Sequence, residues 1–260
     1  MHEGHPYLKR CMAHIFQPDG RALIVALDHT RSGPAPGLER PGETIARVVA
    51  GGADAILTTY GIARHFWHRL GNRGLIVGTD GMRPVTEHAV LDALRLGADA
   101  VELKVFPGNP QETRLPELNH LAAVCAEWGM PLLAEPIPVS FQETSAHTPE
   151  NIAKAARIAA EAGADFVKVH YTGAIETMRR VIECCYVPVV ILGGPRMASE
   201  RDVLQVVADA LEAGARGIAF GRNIFAHPRP DRMTAALAAL IHGGATVDQA
   251  LRELAVPVSV

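Results

Sequence analysis

The residues best equipped for covalent or proton-transfer chemistry in this chain stand at the ends of short apolar runs. Lys168 lies in Phe166-Val167-Lys168-Val169, with apolar neighbours on both sides in sequence, and Lys104 ends Val101-Glu102-Leu103-Lys104. An ammonium drawn into an apolar pocket is desolvated, its pKa falls, and a fraction of neutral amine is then free at pH 7 to attack a carbonyl. The opposing reading is structural: Lys168 pairs with Glu102, Glu135 or Asp28 inside the fold, because ion-pair networks also perturb pKa values. Lys104 suits an electrostatic partner that helps to depress the pKa of Lys168. Two glycine-bearing turns, Leu192-Gly193-Gly194-Pro195-Arg196 and Phe220-Gly221-Arg222-Asn223, offer bare backbone N–H groups of the kind that cradle a phosphate, and Arg222 follows directly. The plainer alternative is that these glycines only make tight turns.

The elements that position these residues follow one repeated pattern. Ala50-Gly51-Gly52-Ala53-Asp54, Leu96-Gly97-Ala98-Asp99, Ala162-Gly163-Ala164-Asp165 and Ala213-Gly214-Ala215-Arg216 each close an Ala-rich stretch on a Gly able to take positive φ, and an apolar run follows at once. Further apolar runs at 22–27, 75–77, 131–134 and 188–192 bring the strands to eight, alternating with helical stretches such as 43–50, 149–162 and 200–213. Strict alternation requires parallel strands with right-handed crossovers. Eight of them predict an α/β fold, a single (βα)8 TIM barrel spanning residues 1–260, closed by helices over 232–241 and 247–254. No G-x-G-x-x-G follows the first strand, which argues against a dinucleotide-binding sheet.

In such a barrel the chemistry belongs at the C-terminal strand ends. In order these read Asp28-His29, Thr58-Thr59, Thr79-Asp80, Lys104, Glu135, Lys168 with His170 and Tyr171, Gly193-Gly194, and Gly221-Arg222-Asn223. The glycine turns fall after strands seven and eight, where barrels build phosphate sites.

The chain has 260 residues, is 48% hydrophobic and 20% charged, and carries a formal net charge of −3. There is no basic surplus to wrap nucleic acid or an anionic membrane, and no apolar run reaches the length of a membrane span. Four cysteines without C-x-x-C spacing, and a first segment without an apolar core, read as reduced thiols of a cytoplasmic protein. His65 and His68 lack a third ligand and read as a surface or packing pair, so no metal is expected.

Taken together the motifs resemble those of the DeoC/DhnA-type class I aldolases, a family that includes archaeal-type fructose-1,6-bisphosphate aldolase, 2-amino-3,7-dideoxy-heptulosonate synthase and the autoinducer-2 phosphate thiolase. The resemblance runs from Ala26-Leu27-Asp28-His29, through Gly33-Pro34 and Gly37-Leu38-Glu39, to Gly221-Arg222-Asn223-Ile224-Phe225. It implies that Lys168 is the Schiff-base lysine, that Asp28 is the acidic residue after the first strand, and that Gly193, Gly194, Gly221 and Arg222 hold phosphate. It also implies a homo-oligomer and no cofactor. In sugar aldolases of the family a Tyr in a Tyr-Pro-Arg-Gly context is the general acid/base; here Ala134-Glu135-Pro136-Ile137 puts Ile137 in its place. Another group must then move protons: Glu135 first, if its surroundings raise its pKa, then Asp28, then His29 or His170. His29 fits a turn residue equally well.

The expected activity is carbon–carbon lysis or aldol transfer on a phosphorylated ketose or aldehyde. Two alternatives stand beside it, a thiolase-like acyl or ketose transfer and a catalytically silent barrel that binds sugar phosphates. The loops that would read the substrate, 30–36, 81–86, 107–115 and 139–148, carry no decodable chemistry.

Overall fold

The computed structural model describes residues 9–29, 35–80, 87–111 and 113–255. Strand and helix alternate as β1 (Ala22–Ala26), α1 (Pro41–Ala50), β2 (Ala55–Thr59), α2 (Tyr60–Phe66), β3 (Gly74–Gly78), α3 (Glu87–Arg95), β4 (Ala100–Val105) and α4 (Leu115–Trp128). The second half continues with β5 (Leu132–Pro136), α5 (Pro149–Glu161), β6 (Phe166–His170), α6 (Ile175–Cys184), β7 (Val189–Leu192), α7 (Glu200–Ala213) and β8 (Gly217–Phe220). Three helices follow, α8 (Arg222–Phe225), α9 (Pro230–Ile241) and α10 (Val247–Ala255). Each strand pairs in parallel with the next, and β8 returns to β1 through the register Ala22↔Gly217 to Val25↔Phe220, so the sheet closes as a (βα)8 barrel.

Two departures from the sequence reading are local. The first closing helix starts two residues early, because Pro230 at its N-terminus has no N–H to lose and a φ already suited to a helix. The short helix α8 begins on the residue after Gly221, so the glycine turn after β8 leads straight into it.

The strand period of two sorts side chains into two apolar layers. Val25, Ile56, Val77, Val101, Val167 and Ile191 face the helices. Ile24, Leu57, Ile76, Leu133, Phe166 and Val190 fill the barrel, with Met12, Ile15 and Phe16 plugging its N-terminal end. Phe16 meets Phe166 edge-on, ring centroids 5.4 Å apart. With the lower interior filled, polar groups fit only toward the C-terminal ends. The interior stripes change character there: β4 runs Ala100, Glu102, Lys104; β5 runs Leu133, Glu135; β6 runs Phe166, Lys168, His170.

The repeated pattern proves to be a joint. Gly52, Gly97, Gly163 and Gly214 take positive φ; in the first copy it is the second of the two glycines that does so. Asp54, Asp99 and Asp165 then each accept the backbone N–H of a residue near the start of the preceding strand, Leu23 at 2.6 Å, Leu75 at 2.9 Å and Leu132 at 2.7 Å. Each carboxylate also meets a basic group, His242, His14 and Lys9 respectively. In the fourth copy Arg216 stands in the Asp position, and its backbone carbonyl accepts from Ala22 across the barrel seam.

His242 presents one ring nitrogen to Asp54 at 2.9 Å and the other to Asp19 at 2.8 Å, an arrangement that imidazolium satisfies fully. The bonds to Asp54 and Asp19 outweigh burial and raise its pKa above the ordinary histidine value. A group whose pKa is raised by folding adds stability below its unfolded pKa and loses it as pH climbs through the folded one. Urea unfolding should therefore show His242→Gln less stable than wild type at about pH 6, with the gap narrowing by about pH 9. A gap that stays constant over that range would contradict a charged His242.

Candidate active site

The interior charged layer is nearly dry. Lys168 is 5% exposed, Glu135 3% and Glu102 0%. Lys168 Nζ donates to Glu135 Oε2 at 2.9 Å. Lys104, two residues beyond Glu102 on the same face of β4, is surrounded by carboxylates: Asp28 at 2.6 Å, Glu102 at 3.0 Å, Asp80 at 3.1 Å and Glu135 at 3.8 Å. Arg114, in a left-handed conformation at the N-terminus of α4, bonds to Asp80 and Glu117 and extends the network to the rim. Gly78 on β3 leaves room for Glu102, whose Oε2 lies 3.1 Å from where a Cβ would stand.

The electrostatics correct one expectation. Burial pulls the pKa of Lys168 down, but Glu135, Asp28 and Glu102 override it, and the net shift is upward even though Lys104 opposes it. The apolar neighbours in sequence, Val167 and Val169, face the helices, so the ammonium sits among carboxylates rather than in an apolar pocket. Lys104 is likewise held well above its ordinary value, burial notwithstanding, by Glu102, Asp28, Glu135 and Asp80. Burial would raise Asp28, yet Lys104 and Lys168 keep it far below the usual carboxylate range. For Glu102 burial wins, helped by Glu135, Asp28 and Asp80, and the carboxyl is raised well above its ordinary value. The layer thus sets Lys104, Lys168 and Arg114 among the carboxyls of Asp28, Asp80, Glu102 and Glu135.

Such a layer can do one thing that neither lysine could do alone. Lys168 can pass a proton to Glu135 over a single hydrogen bond and present a neutral amine, while Lys104 remains as fixed positive charge.

The glycine turns lie where the sequence puts them, after β7 and β8. Gly194 has φ +60° with open space beside its Cα. A Cβ on Gly221 would lie 2.2 Å from the His29 ring and 2.8 Å from the Ala26 carbonyl, so no larger residue fits between β8 and β1. Asn223, 5% exposed, laces the two turns together: its Nδ2 donates to the carbonyls of Gly193 at 2.8 Å and Pro195 at 3.2 Å, and its Oδ1 accepts from Met197 N at 2.9 Å. Arg222 is exposed and donates to the Gly194 carbonyl at 2.9 Å.

At the rim, His29 lies edge-on to Phe225 with ring centroids 5.1 Å apart, and its Nδ1 is 3.7 Å from Asp28. Burial lowers its pKa despite Asp28, so it is a neutral packing group under the β8 turn. β6 stays regular, and His170 therefore faces inward with Lys168. It stacks on His147 at 4.3 Å. Tyr171 points away, toward Asp209 on α7. Ile137 is wholly buried and carries no proton. His65 and His68 are exposed, and Cys11, Cys125, Cys184 and Cys185 are free thiols. No helix among the described residues is long and apolar enough to cross a membrane. Gly33 and Pro34, the 81–86 loop and most of the 30–36 loop lie outside the described residues.

Sequence reasoning gave no role to Arg114, His147 or Asn223. The i, i+2 placement of Glu102 and Lys104 signals a shared interior face, and an Asn two residues after a strand-end glycine is a natural capping group. His147 sits in a loop with no signal of its own.

The DeoC/LacD family aldolase pattern matches residues 22–227, from β1 to just past α8. A Saccharolobus solfataricus protein described as an uncharacterized aldolase is 33% identical over 265 residues, covering 94% of this chain and 97% of its own. The 2-amino-3,7-dideoxy-D-threo-hept-6-ulosonate synthase of Halobacterium salinarum is 37% identical over 243 residues, covering 90% and 91%. The solved structure of a Schiff-base-forming fructose-1,6-bisphosphate aldolase superposes with a TM-score of 0.79 at 32% identity, covering 89% of this chain and 98% of that one.

Gln matches the protonated form of Glu102 that burial favours, so Glu102→Gln should leave stability in urea nearly unchanged at neutral pH. A large loss of stability on that change would mean that Glu102 is ionised.

Proposed function

The chain belongs to the DeoC/LacD family of aldolases, and on that footing we propose that Lys168 is the amine through which it works, with Glu135 moving protons to and from it. The enzyme is a class I aldolase, making or breaking carbon–carbon bonds through a lysine Schiff base. Its substrate is a small phosphorylated ketose or aldehyde.

The carrying observation is the difference between the two lysines. Lys104 lies within 4 Å of four acidic side chains, whereas among the described residues Lys168 hydrogen-bonds to Glu135 alone, at 2.9 Å. Lys168 becomes a free amine by one proton transfer to Glu135, whereas Lys104 would give up the attraction of several acidic groups on losing its proton and stays charged. Lys168 gives a proton to Glu135, and the neutral amine attacks the carbonyl carbon. The carbinolamine hydroxyl then receives that proton from Glu135 and leaves as water, and an iminium and a carboxylate remain. Of the three ammonium protons one stays on the iminium nitrogen and two depart with water. The iminium next accepts the electron pair of the breaking carbon–carbon bond. Asp28 and Lys104 keep the local charge fixed during these steps.

We place the phosphate over the turns after β7 and β8, with backbone N–H groups near Gly193, Gly194 and Gly221 and the guanidinium fork of Arg222. Gly194, open on its outer side, and Asn223, which holds the turns in register, support this placement. Ile137, where sugar aldolases of the family carry Tyr, supports a second reading, transfer of an acyl or ketose unit through the same imine. The whole chain is read as one catalytic unit. We further place the enzyme in the cytoplasm as a homo-oligomer: its thiols are free, and Trp67, Trp128 and Tyr186 are exposed apolar surface that a second copy could cover.

Lys168→Met should abolish turnover while circular dichroism and urea unfolding remain those of a folded barrel, and Lys168→Arg should be equally inactive, since a guanidinium offers no neutral amine. Substantial activity in either variant contradicts the assignment. For the anion site, Arg222→Ala should raise KM for a phosphorylated substrate far more than for its dephosphorylated analogue. Equal effects on the two would remove phosphate from the turns.

A further inference from the structure

Carbon–carbon cleavage through an iminium requires two proton transfers at different places. One is at the lysine nitrogen and the carbinolamine oxygen, within reach of Glu135. The other is at the hydroxyl of the carbon that becomes the aldehyde, one bond beyond the enamine carbon. Glu135 is committed to Lys168 and also lies 3.8 Å from Lys104. A second group is needed farther along the same face.

His170 stands there. It is the next inward residue after Lys168 on β6, about 6.5 Å away along the strand at two residues' rise. The turns proposed for the phosphate lie on one side of β6, after β7 and β8. The wall on its other side is built by β5 and the loop that follows, where Phe141 and His147 meet the His170 ring at 6.5 Å and 4.3 Å between centroids. The Nδ1 of His170 is buried and makes no hydrogen bond among the described residues, a costly state for a ring nitrogen unless a ligand completes it.

The support behind this ring is built at some expense. Val139 takes φ +62°, strained for a β-branched residue, and is held there by its N–H to Pro107 O at 3.0 Å and by Asn109 Nδ2 to its carbonyl at 3.0 Å. The next residue, Ser140, offers its carbonyl to His147 Nε2 at 2.8 Å. The strained turn thus fixes His147, and His147 fixes His170.

We propose that His170, clamped by His147, is the second proton carrier of the site. In cleavage one of its ring nitrogens takes the hydroxyl proton of the carbon that leaves as aldehyde, while the carbon–carbon pair flows into the iminium to give the enamine; in condensation the imidazolium returns that proton. No other reactant is consumed. The titratable and charged groups that face the ring are His147 from the loop, Glu135 on β5 and Lys168 on its own strand. Burial, then His147, lowers its pKa, and Lys168 adds to this against Glu135; the value falls to about 4, so the ring is neutral and ready to accept at neutral pH.

This assignment rests on Lys168 being the imine-forming amine, and the test separates the two. Fructose 1,6-bisphosphate is the probe, with borohydride trapping for imine and single-turnover release of glyceraldehyde 3-phosphate for cleavage. His170→Gln should form imine like wild type and release aldehyde about two to four powers of ten more slowly, with the acid limb of the wild-type pH profile lost. His147→Ala should also slow release, and His147→Phe, which keeps a ring against His170, should restore most of it. Release within about threefold of wild type in His170→Gln overturns the proposal, as does a loss of imine in step with release, the mark of a merely structural residue. If wild type itself forms no imine with the probe or with any member of a panel of phosphorylated ketoses, the proposal falls together with the reading of Lys168, and for that different reason.

Discussion

The buried ion pair between Lys168 and Glu135 is the constraint around which the upper half of the barrel is arranged. Removing two charges from water costs several kcal/mol per ion, and a well-packed apolar pair of similar volume would serve stability as well or better. The pair is therefore weak evidence for stability. The value we propose for it is chemical: a proton can cross 2.9 Å between donor and acceptor without rearrangement of solvent. The remaining charges follow from it. Asp28 and Lys104 pair at 2.6 Å, burial pushes the Glu102 carboxyl well above its ordinary value, and Arg114 pairs with Asp80 at the rim.

The fold supplies this arrangement through one geometric habit. Interior stripes of β4, β5 and β6 start apolar and end polar or charged, so one sheet both packs an apolar floor and presents a polar ceiling. The floor carries the stability, at about 1.5–3 kcal/mol for each fully buried Val, Leu, Ile or Phe side chain. The aspartates below β2, β4 and β6 do the complementary work at the other end. They tie each strand to its predecessor by a backbone hydrogen bond and leave the C-terminal loops free to vary. Stability and chemistry thus occupy opposite ends of the same strands.

Much of this was legible in the sequence, for identifiable reasons. The recurrent Gly-Ala-Asp junction is a strong local signal, because the turn needs positive φ and the strand needs β-branched residues; it marked the αβ junctions and so the barrel. Lys168, Lys104, Glu135 and Asp28 could be found because charged residues in apolar runs are costly and rare. The direction of the Lys168 pKa could not be read, because its flanking valines face outward and its true neighbours come from β1, β4 and β5. His147 was invisible for a related reason: its importance comes from stacking on His170 across a loop whose path depends on a strained Val139. Asn223 appeared only as part of a glycine turn, since its three hydrogen bonds reach a different loop.

The most direct test of Lys168 as the nucleophile is the site of the covalent adduct. Wild-type enzyme is incubated with a panel of phosphorylated ketoses, reduced with borohydride, digested and sequenced by mass spectrometry. A single reduced adduct on Lys168, with Lys104 unmodified, is expected from the difference in their carboxylate partners. An adduct on Lys104, or none on either lysine with any member of the panel, would contradict the assignment of Lys168.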